Sequence, residues 1–175
     1  MVKVLDRGEL AGAVRLGFRG TALAPEARGE GEFEATKNHA GIKAAFAGLP
    51  PATRFGSQYL TYVLWAITPA GRARNLSEIE VNGQTGKVDA KAGFKAFGLI
   101  VTAEPYFAVT QPSEIVVLET EFPTGTSGKI KEAKCDLLPR EHYPPNPDVP
   151  PAVPGGVDPQ SALALDEARY ALFMA

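Results

Sequence analysis

The side chains that could do chemistry are few and lie far apart along the chain. His39 and His142 are the two histidines, and Cys135 is the single cysteine. A metal site needs several ligands at short spacing, and a catalytic thiol needs a base held beside it. Neither histidine has carboxylates at ligand spacing, and neither lies near Cys135 in a recognisable motif. We therefore expect two exposed histidines, a core-facing cysteine, and no metal or cofactor.

Paired carboxylates occur twice, at Glu78 with Glu80 and at Glu119 with Glu121. Residues two apart on a strand share one face, and that face is usually solvated, so we interpret these pairs as surface residues and not as a glycosidase pair. The segment FPTGTSGKI resembles a phosphate-binding loop only superficially, because the glycine spacing, the Ser or Thr after the lysine and the following helix are missing. It predicts a hairpin loop with a surface lysine. No nucleophile and base can be paired, and we expect no enzymatic activity.

Two apolar runs must form the centre of the fold, YLTYVLWAITP (Tyr59 to Pro69) and FGLIVTAEPYFAV (Phe97 to Val109). Both are too short to span a membrane, and they predict buried strands over residues 59–68 and 97–103, whose interiors carry no His, Cys, Asp or Glu. In the first run both strand faces are apolar, so we expect a central strand with Trp65 as a core anchor. Further strands are predicted at 14–18, 31–36, 41–47, 77–81, 86–90, 115–119 and 129–137.

The fold class follows from what lies between these strands. The connections are rich in Gly, Pro, Asn and Ser, and no helical pattern separates the strands, so parallel crossovers are excluded. We therefore predict an all-β fold, an antiparallel immunoglobulin-like β-sandwich over residues 1–138.

The composition changes after Leu138. Eight of the 15 prolines lie between Pro139 and Pro159, which predicts an extended linker over residues 139–157. Asp158 and the proline after it are typical of a helix start, and we predict an amphipathic helix over residues 158–175. Because a helix of this length is marginal alone, we expect it to dock on the sandwich, meet a partner or be the start of a longer helical region. Self-association through its apolar stripe is a further hypothesis.

Charge and length exclude further classes. The formal net charge is −2, with Lys, Arg, Asp and Glu interleaved, so no basic run could bind nucleic acid. No stretch of about 20 apolar residues occurs, and we expect no membrane span. The opening MVKVLDRGEL lacks the pattern of a secretory signal. Either the protein is cytoplasmic or a signal preceded this sequence, and we favour the second interpretation.

The segment EPYFAVTQPS (Glu104 to Ser113) is the strongest candidate for a contact surface. Two aromatic residues and a glutamine lie between its two prolines, and a carboxylate precedes the first proline. A turn that merely closes the sandwich is the alternative, and a recognition loop is the hypothesis we carry forward. A second candidate loop follows Pro51. The candidate contact residues are Tyr106, Phe107, Gln111, Arg54 and Phe55.

One resemblance concerns the region from about Gly41 to Leu138, on the segments GLPPATRFGSQYLTYVLWAITPAGRARNLSEIEV and FGLIVTAEPYFAVTQPSEIVVLE. The region resembles a β-sandwich domain of bacterial envelope proteins, notably acidobacterial ones, that precedes a helical region and often an outer-membrane-protein-A-type peptidoglycan-binding module. The later LALDEAR resembles the opening of that helical region. The GLPP turn, the strand with LW and the PAGR turn are more distantly similar to the C-terminal domain of anti-sigma-K factors. The resemblance implies a periplasmic or envelope location and brings no catalytic residues.

Together these observations predict a non-enzymatic structural or protein-interaction module of a bacterial cell-envelope protein. Its partner would be an envelope protein, or a second copy bound through the C-terminal helix. The alternative is a small-molecule or glycan-binding module, with a pocket at one end of the sandwich and the loop aromatics as its platform.

Overall fold

The structure, a computed structural model, describes residues 1–6, 12–35, 40–91, 96–126 and 128–143. Within these ranges the chain forms eleven strands and two short 3₁₀ helices, Ala52–Phe55 and Arg140–His142. The strands are β1 (Val2–Asp6), β2 (Gly12–Gly20), β3 (Arg28–Ala35), β4 (Ala40–Ala47), β5 (Thr61–Ile67), β6 (Ala73–Glu78), β7 (Glu80–Asn82), β8 (Thr85–Lys91), β9 (Ala96–Glu104), β10 (Val116–Glu121) and β11 (Lys129–Ala133). The all-β prediction is confirmed.

The strands pair into a nearly closed antiparallel sheet. Their order is β11-β1-β9-β10-β2-β3-β4-β8-β7. Strand β7 continues β6 after the single residue Ile79, whose backbone N–H donates to Tyr62 O over 2.9 Å. Strand β6 pairs with β5, and β5 pairs with β9 over its whole length. The path of pairings therefore returns to β9.

The first of two apolar clusters fills the inside of this sheet. In β2 the residues Val14, Leu16 and Phe18 are buried while Arg15 between them is exposed, as the period-two pattern predicts. Aromatic side chains from distant strands meet there, with the rings of Phe18 and Phe46 5.1 Å apart and those of Phe33 and Phe97 4.4 Å apart. The alternation therefore fixes which face of each strand turns inward.

Strands β5 and β9 bury both of their faces. One face of β5 carries Tyr62 and Leu64 into the first cluster. The other face carries Val63, Trp65 and Ile67 into a second cluster on the opposite side of the sheet. All seven residues of β5 are buried, and Trp65 is fully buried. The prediction of a central strand anchored by Trp65 is confirmed.

A covering layer lies over the second cluster. It consists of β1, β11 and residues 134–143. Val2, Val4 and Ala133 contribute buried side chains from the two strands, and Tyr143 packs against both clusters from the end of the described chain. The layer therefore takes in the first residues of the predicted linker.

Two strand predictions differ from the structure in their limits. The predicted strand 77–81 is interrupted at Ile79, whose side chain is buried in the first cluster while Glu78 and Glu80 remain outside it. The predicted strand 129–137 ends at Ala133, after which the chain crosses the second cluster without pairing as a strand. Most other predicted limits agree with the structure to within a few residues.

The finer parts of the architecture prediction are not confirmed. An immunoglobulin-like sandwich has two separate sheets, whereas here the pairings form one nearly closed path. The predicted helix over 158–175 and most of the predicted linker lie outside the described residues. Within the described ranges, no helix combines the length and apolar character needed to cross a membrane.

Candidate functional site

The β9–β10 loop (residues 105–115) is held to the sheet at several points. Asn75 Nδ2 of β6 donates to Phe107 O over 2.7 Å and to Val109 O over 2.9 Å. At the far end, Ser113 Oγ donates to Ala103 O over 2.8 Å. The following segment is held as well, because Leu138 N donates to Pro112 O over 2.8 Å. The loop is therefore a fixed surface feature.

The residue that begins this segment, Glu104, is the last residue of β9 and is fully buried. Its Oε1 accepts hydrogen bonds from Thr102 Oγ1 and, over 2.7 Å, from Ser113 N. Its Oε2 is buried and has no hydrogen-bond partner among the described residues. Burial raises the pKa of Glu104 to about 7, although the bonds from Ser113 and Thr102 pull it down.

A chain of hydrogen bonds connects Glu104 to the centre of the second cluster. Trp65 Nε1 donates to Thr102 Oγ1 over 2.8 Å, and Thr102 Oγ1 donates in turn to Glu104. Trp65, Thr102 and Glu104 lie on one face because residues two apart on a strand share a face, and Trp65 stands opposite Ile100 on the neighbouring strand. The buried polar groups on this face are therefore linked in series.

Two tyrosines interact electrostatically with the buried carboxyl group, and a third tyrosine interacts with one of them. Tyr59 is fully buried, and its hydroxyl has no hydrogen-bond partner within the described ranges. Burial raises the pKa of Tyr59 and of Tyr143, and the charge of Glu104 acts in the same direction on both. Tyr106 also interacts electrostatically with Tyr143. The end of the sheet at Glu104 is thus closed by aromatic rings that carry polar groups.

The predicted contact residues lie at this same end of the sheet, in two loops. Leu60 N donates to Glu104 O over 2.9 Å, which brings the segment after the Ala52–Phe55 helix beside the end of β9. In that first loop, Arg54 is exposed and Phe55 is partly buried against the first cluster.

Within the β9–β10 loop the three candidates differ. Phe107 is 45% exposed and Gln111 is exposed, as a contact surface requires. Tyr106 is partly buried and packs against the second cluster. The loop thus presents two of the three residues to solvent and uses the third for packing.

The sequence interpretation missed the position of Glu104. It was assigned to a surface loop, but β9 continues through it and its side chain is buried. The signal was present, because Ile100, Thr102 and Glu104 keep the period of two beyond the apolar run. A carboxylate on a face whose other members are buried is buried with them.

The remaining chemical candidates are placed as follows. His142 is exposed and its ring meets that of Tyr143 edge-on at 4.9 Å, while His39 lies outside the described residues. Cys135 is partly buried against the second cluster, and burial raises the pKa of its thiol. Of the carboxylate pairs, Glu80 binds Lys87 at 3.2 Å on the surface. In the residues that the structure describes, no group of three or more His, Cys, Asp and Glu could hold a metal ion.

A concave groove of about 1110 Å³ lies elsewhere, on the outer face of β2, β3, β4 and β8. Charges of opposite sign face each other across these strands, as Arg15 stands opposite Glu32, Glu32 opposite Lys43, and Lys43 opposite Asp89. Lys43 Nζ lies 3.5 Å from Asp89 Oδ2. Of the described residues that line the groove, none is aromatic, and none is one of the predicted contact residues. The groove is therefore bordered by charged side chains and is separate from the loop.

Comparison with known proteins adds no relative from which a role could be transferred. No family model, no curated protein and no solved structure matches the chain.

Proposed function

We propose that this chain is a non-enzymatic interaction module that presents the β9–β10 loop to a protein partner. The observation that carries this proposal is the contrast between the loop's anchoring and its exposure. Asn75 and Glu104 hold the backbone, while Phe107 and Gln111 reach solvent. A loop fixed before binding loses little conformational entropy when it binds, and a protruding aromatic is a typical anchor residue.

Arg54 and Phe55 extend the proposed contact surface. Their loop lies at the same end of the sheet, because Leu60 follows it and pairs with Glu104. An exposed arginine beside partly buried aromatics is a common composition of protein interfaces. A partner that covers the β9–β10 loop would reach this second loop as well.

The bacterial envelope is the location we propose, on the resemblance of residues 41–138 alone. An immunoglobulin-like layered core is proposed on the same basis. What supports the layered description is the burial of both faces of β5 and β9 between two clusters. The single path of strand pairing argues for a more closed variant of such a core.

A photocrosslinking experiment tests the proposed surface. A photoreactive phenylalanine analogue replaces Phe107 in one protein and Ile130 in another. Ile130 is a 49% exposed apolar residue of β11 and stands opposite Leu5, which pairs with Phe97 at the other end of β9. Each protein is irradiated in envelope extract and in cytosolic extract of a bacterium that encodes the chain. We expect a discrete crosslinked protein from position 107 in the envelope extract only. The same products from both positions would contradict the loop surface, and products in cytosolic extract alone would contradict the envelope location.

Self-association is the other partner we propose. Its expected basis is the C-terminal helix predicted from the sequence over residues 158–175. Light scattering of the chain with and without these residues tests it. A mass that falls from dimer to monomer on truncation is the expected result, and an unchanged mass would contradict it.

A second candidate function is binding of a small polar ligand in the outer groove. The observation that favours it is the volume of about 1110 Å³ bordered by charges of both signs. A thermal-shift screen of the chain against sugars, peptidoglycan fragments and common metabolites tests it, with Lys43→Ala as the variant that removes a lining charge. A stabilisation that Lys43→Ala abolishes would support the groove. A shift that persists in the variant would contradict it.

A further inference from the structure

All described hydrogen bonds to the Glu104 carboxyl group end on one oxygen. Thr102 Oγ1 already accepts the hydrogen of Trp65 Nε1, so its own hydrogen is available for Glu104 Oε1. Ser113 N donates to the same oxygen. Oε2 has no donor among the described residues and is fully buried. The carboxyl proton, when present, therefore belongs on Oε2.

The groups around Glu104 do not compensate a negative charge on Oε2. The titratable and charged groups on the elements that pack around it are Tyr59 before β5, Arg74 and Glu78 on β6, Tyr106 and Glu114 in the β9–β10 loop, and Arg140, Glu141, His142 and Tyr143 at the end of the described chain. Arg140 is a cation at this end of the sheet, and its positive charge acts on the neighbouring Tyr59, whose pKa it lowers. Ionised Glu104 would therefore be a buried charge with no cation among the described residues acting on it, and the hydrogen bonds from Ser113 and Thr102 offset only part of its loss of hydration, which opening to water would restore.

We propose that Glu104 is a proton-operated latch on the β9–β10 loop: protonated Glu104 keeps the loop closed, and loss of the proton from Oε2 favours an opened, hydrated loop. The inference rests on the proposed function, since it describes the regulation of the same surface. Ser113 is the position at which the loop would detach from the sheet on opening. In the closed form its N–H donates to the Glu104 carboxyl group and its Oγ donates to Ala103 O of β9. Tyr143 is the cover that must shift, since it packs against both clusters at this end.

The latch operates near neutral pH. Burial raises the pKa of Glu104 to about 7 in the closed form, against a value of 4.5 for a hydrated glutamate. By proton linkage, the equilibrium constant for opening then rises about tenfold between pH 6 and pH 8 and levels off above that range. A partner that needs the closed loop would bind less well on the alkaline side.

Hydrogen exchange of the full chain, measured without any partner, tests the latch. Exchange of peptides covering residues 105–115 is followed from pH 6 to pH 8 and corrected for intrinsic exchange. We expect an increase of about tenfold in the native chain and none in Glu104→Gln, which keeps the shape of the protonated side chain. Glu132→Gln, an exposed carboxylate of β11, is the matched control and is expected to behave as the native chain.

His142 needs its own control because histidine ordinarily titrates in this range. His142→Asn is expected to keep the increase. An increase that persists in Glu104→Gln, or that disappears in His142→Asn, would overturn the proposal.

A second measurement does not depend on the folding of any variant. Carbon NMR of the native chain labelled at the glutamate carboxyl carbons is expected to show one group that titrates near pH 7. In a proton–nitrogen spectrum, the indole N–H signal of Trp65, the single tryptophan, is expected to shift over the same pH range because Thr102 connects it to Glu104. Titration of every glutamate below about pH 5.5 would overturn the latch. Because no partner is present in these measurements, their failure is distinguishable from a failure of the crosslinking experiment.

Discussion

The backbone N–H of Ser113 donates to Glu104 Oε1 over 2.7 Å, so the residue that ends β9 also holds the far end of the loop that follows it. Both residues are fully buried. The span of the loop is therefore set by two positions that are buried away from solvent. Substitutions at the exposed positions between them should change the contact surface while the path of the backbone is kept.

The stability of the chain should fall as pH rises through the acidic and neutral range because of Glu104. Its pKa is raised from 4.5 to about 7 on folding, so between these values the unfolded chain has lost a proton that the folded chain retains. The free energy of unfolding then decreases with increasing pH, by up to about 3 kcal/mol, and levels off above pH 7. Urea denaturation at several pH values measures this slope.

Glu104→Gln should remove this contribution, because the amide does not ionise. The difference in unfolding free energy between the variant and the native chain should therefore change with pH, while that for Glu132→Gln stays constant. Parallel curves for the native chain and Glu104→Gln would show that Glu104 has no raised pKa.

Thr102→Val should affect both stability and titration. The change leaves Trp65 Nε1 and Glu104 Oε1 each with one partner fewer in a buried site, at a cost of about 1–3 kcal/mol. The bond from Thr102 lowers the pKa of Glu104, so its loss should raise that pKa further. Guanidinium denaturation and carboxyl NMR measure the two effects.

Thr120→Val is the matched control for Thr102→Val. Thr120 is also buried, and its hydroxyl both accepts from Leu99 N over 2.8 Å and donates to Leu99 O over 2.7 Å. We expect a similar loss of stability and an unchanged titration of Glu104. A shift in both variants would mean that general loosening of β9 controls the carboxyl group.

Asn75→Ala should loosen the middle of the β9–β10 loop. It removes the two hydrogen bonds to Phe107 O and Val109 O, and we expect a loss of about 1–2 kcal/mol together with faster amide exchange in residues 105–112. Gln84→Ala, at an exposed position between β7 and β8, should change neither quantity. Unchanged exchange in Asn75→Ala would show that the ends of the loop alone hold it.

Substitution of Tyr106 and of Phe107 should distinguish a side chain that packs in the fold from one that is exposed for contact with a partner. Tyr106 lies against the second cluster, so Tyr106→Ala should cost about 1–3 kcal/mol, whereas Phe107→Ala should stay within about 0.5 kcal/mol. Thermal melts of the two variants check this order. Small losses of stability of equal size would indicate that Tyr106, like Phe107, belongs to the exposed contact surface.

Gly71→Ala should test how closely the covering layer approaches the turn after β5. Gly71 has φ +79°, and a Cβ there would collide with Lys134 O, whereas Gly83 has φ +61° and open space around it. Gly83→Ala should cost about 1–2 kcal/mol from backbone conformation alone. Gly71→Ala should cost at least about 1 kcal/mol more because the carbonyl must move. Equal losses of stability in the two variants would mean that residues 134–138 can move away from the added Cβ at no cost in free energy.

The strands were predictable because their hydrophobic period is local. Val14, Leu16 and Phe18 alternate with polar residues, which indicates a strand buried on one face. The run around Trp65 is apolar on both faces, which indicates a strand buried on both. The nearly closed path was not predictable, because it depends on which strands pair. Those choices join residues such as Val2 and Ala133, which no local pattern connects.

The candidate site was predicted in part. The prolines and aromatics of the β9–β10 loop indicated an exposed segment, and Phe107 and Gln111 are exposed there. The anchors were missed because they come from elsewhere in the chain. Asn75 lies 32 residues before Phe107, and the burial of Glu104 depends on the layer that ends at Tyr143. A short polar motif does not reveal which side chains tertiary packing will enclose.

The covering layer also sets the order in which the chain can fold during its synthesis. Strands β5 and β9 leave the ribosome before β11, yet the face that carries Trp65 is buried only when β11 and residues 134–143 arrive. Synthesis of the 39 residues from 105 to 143 takes roughly 2 to 8 s at about 5 to 20 residues per second. For that interval only β1 of the covering layer has been synthesised, so the apolar face that carries Trp65 is incompletely covered.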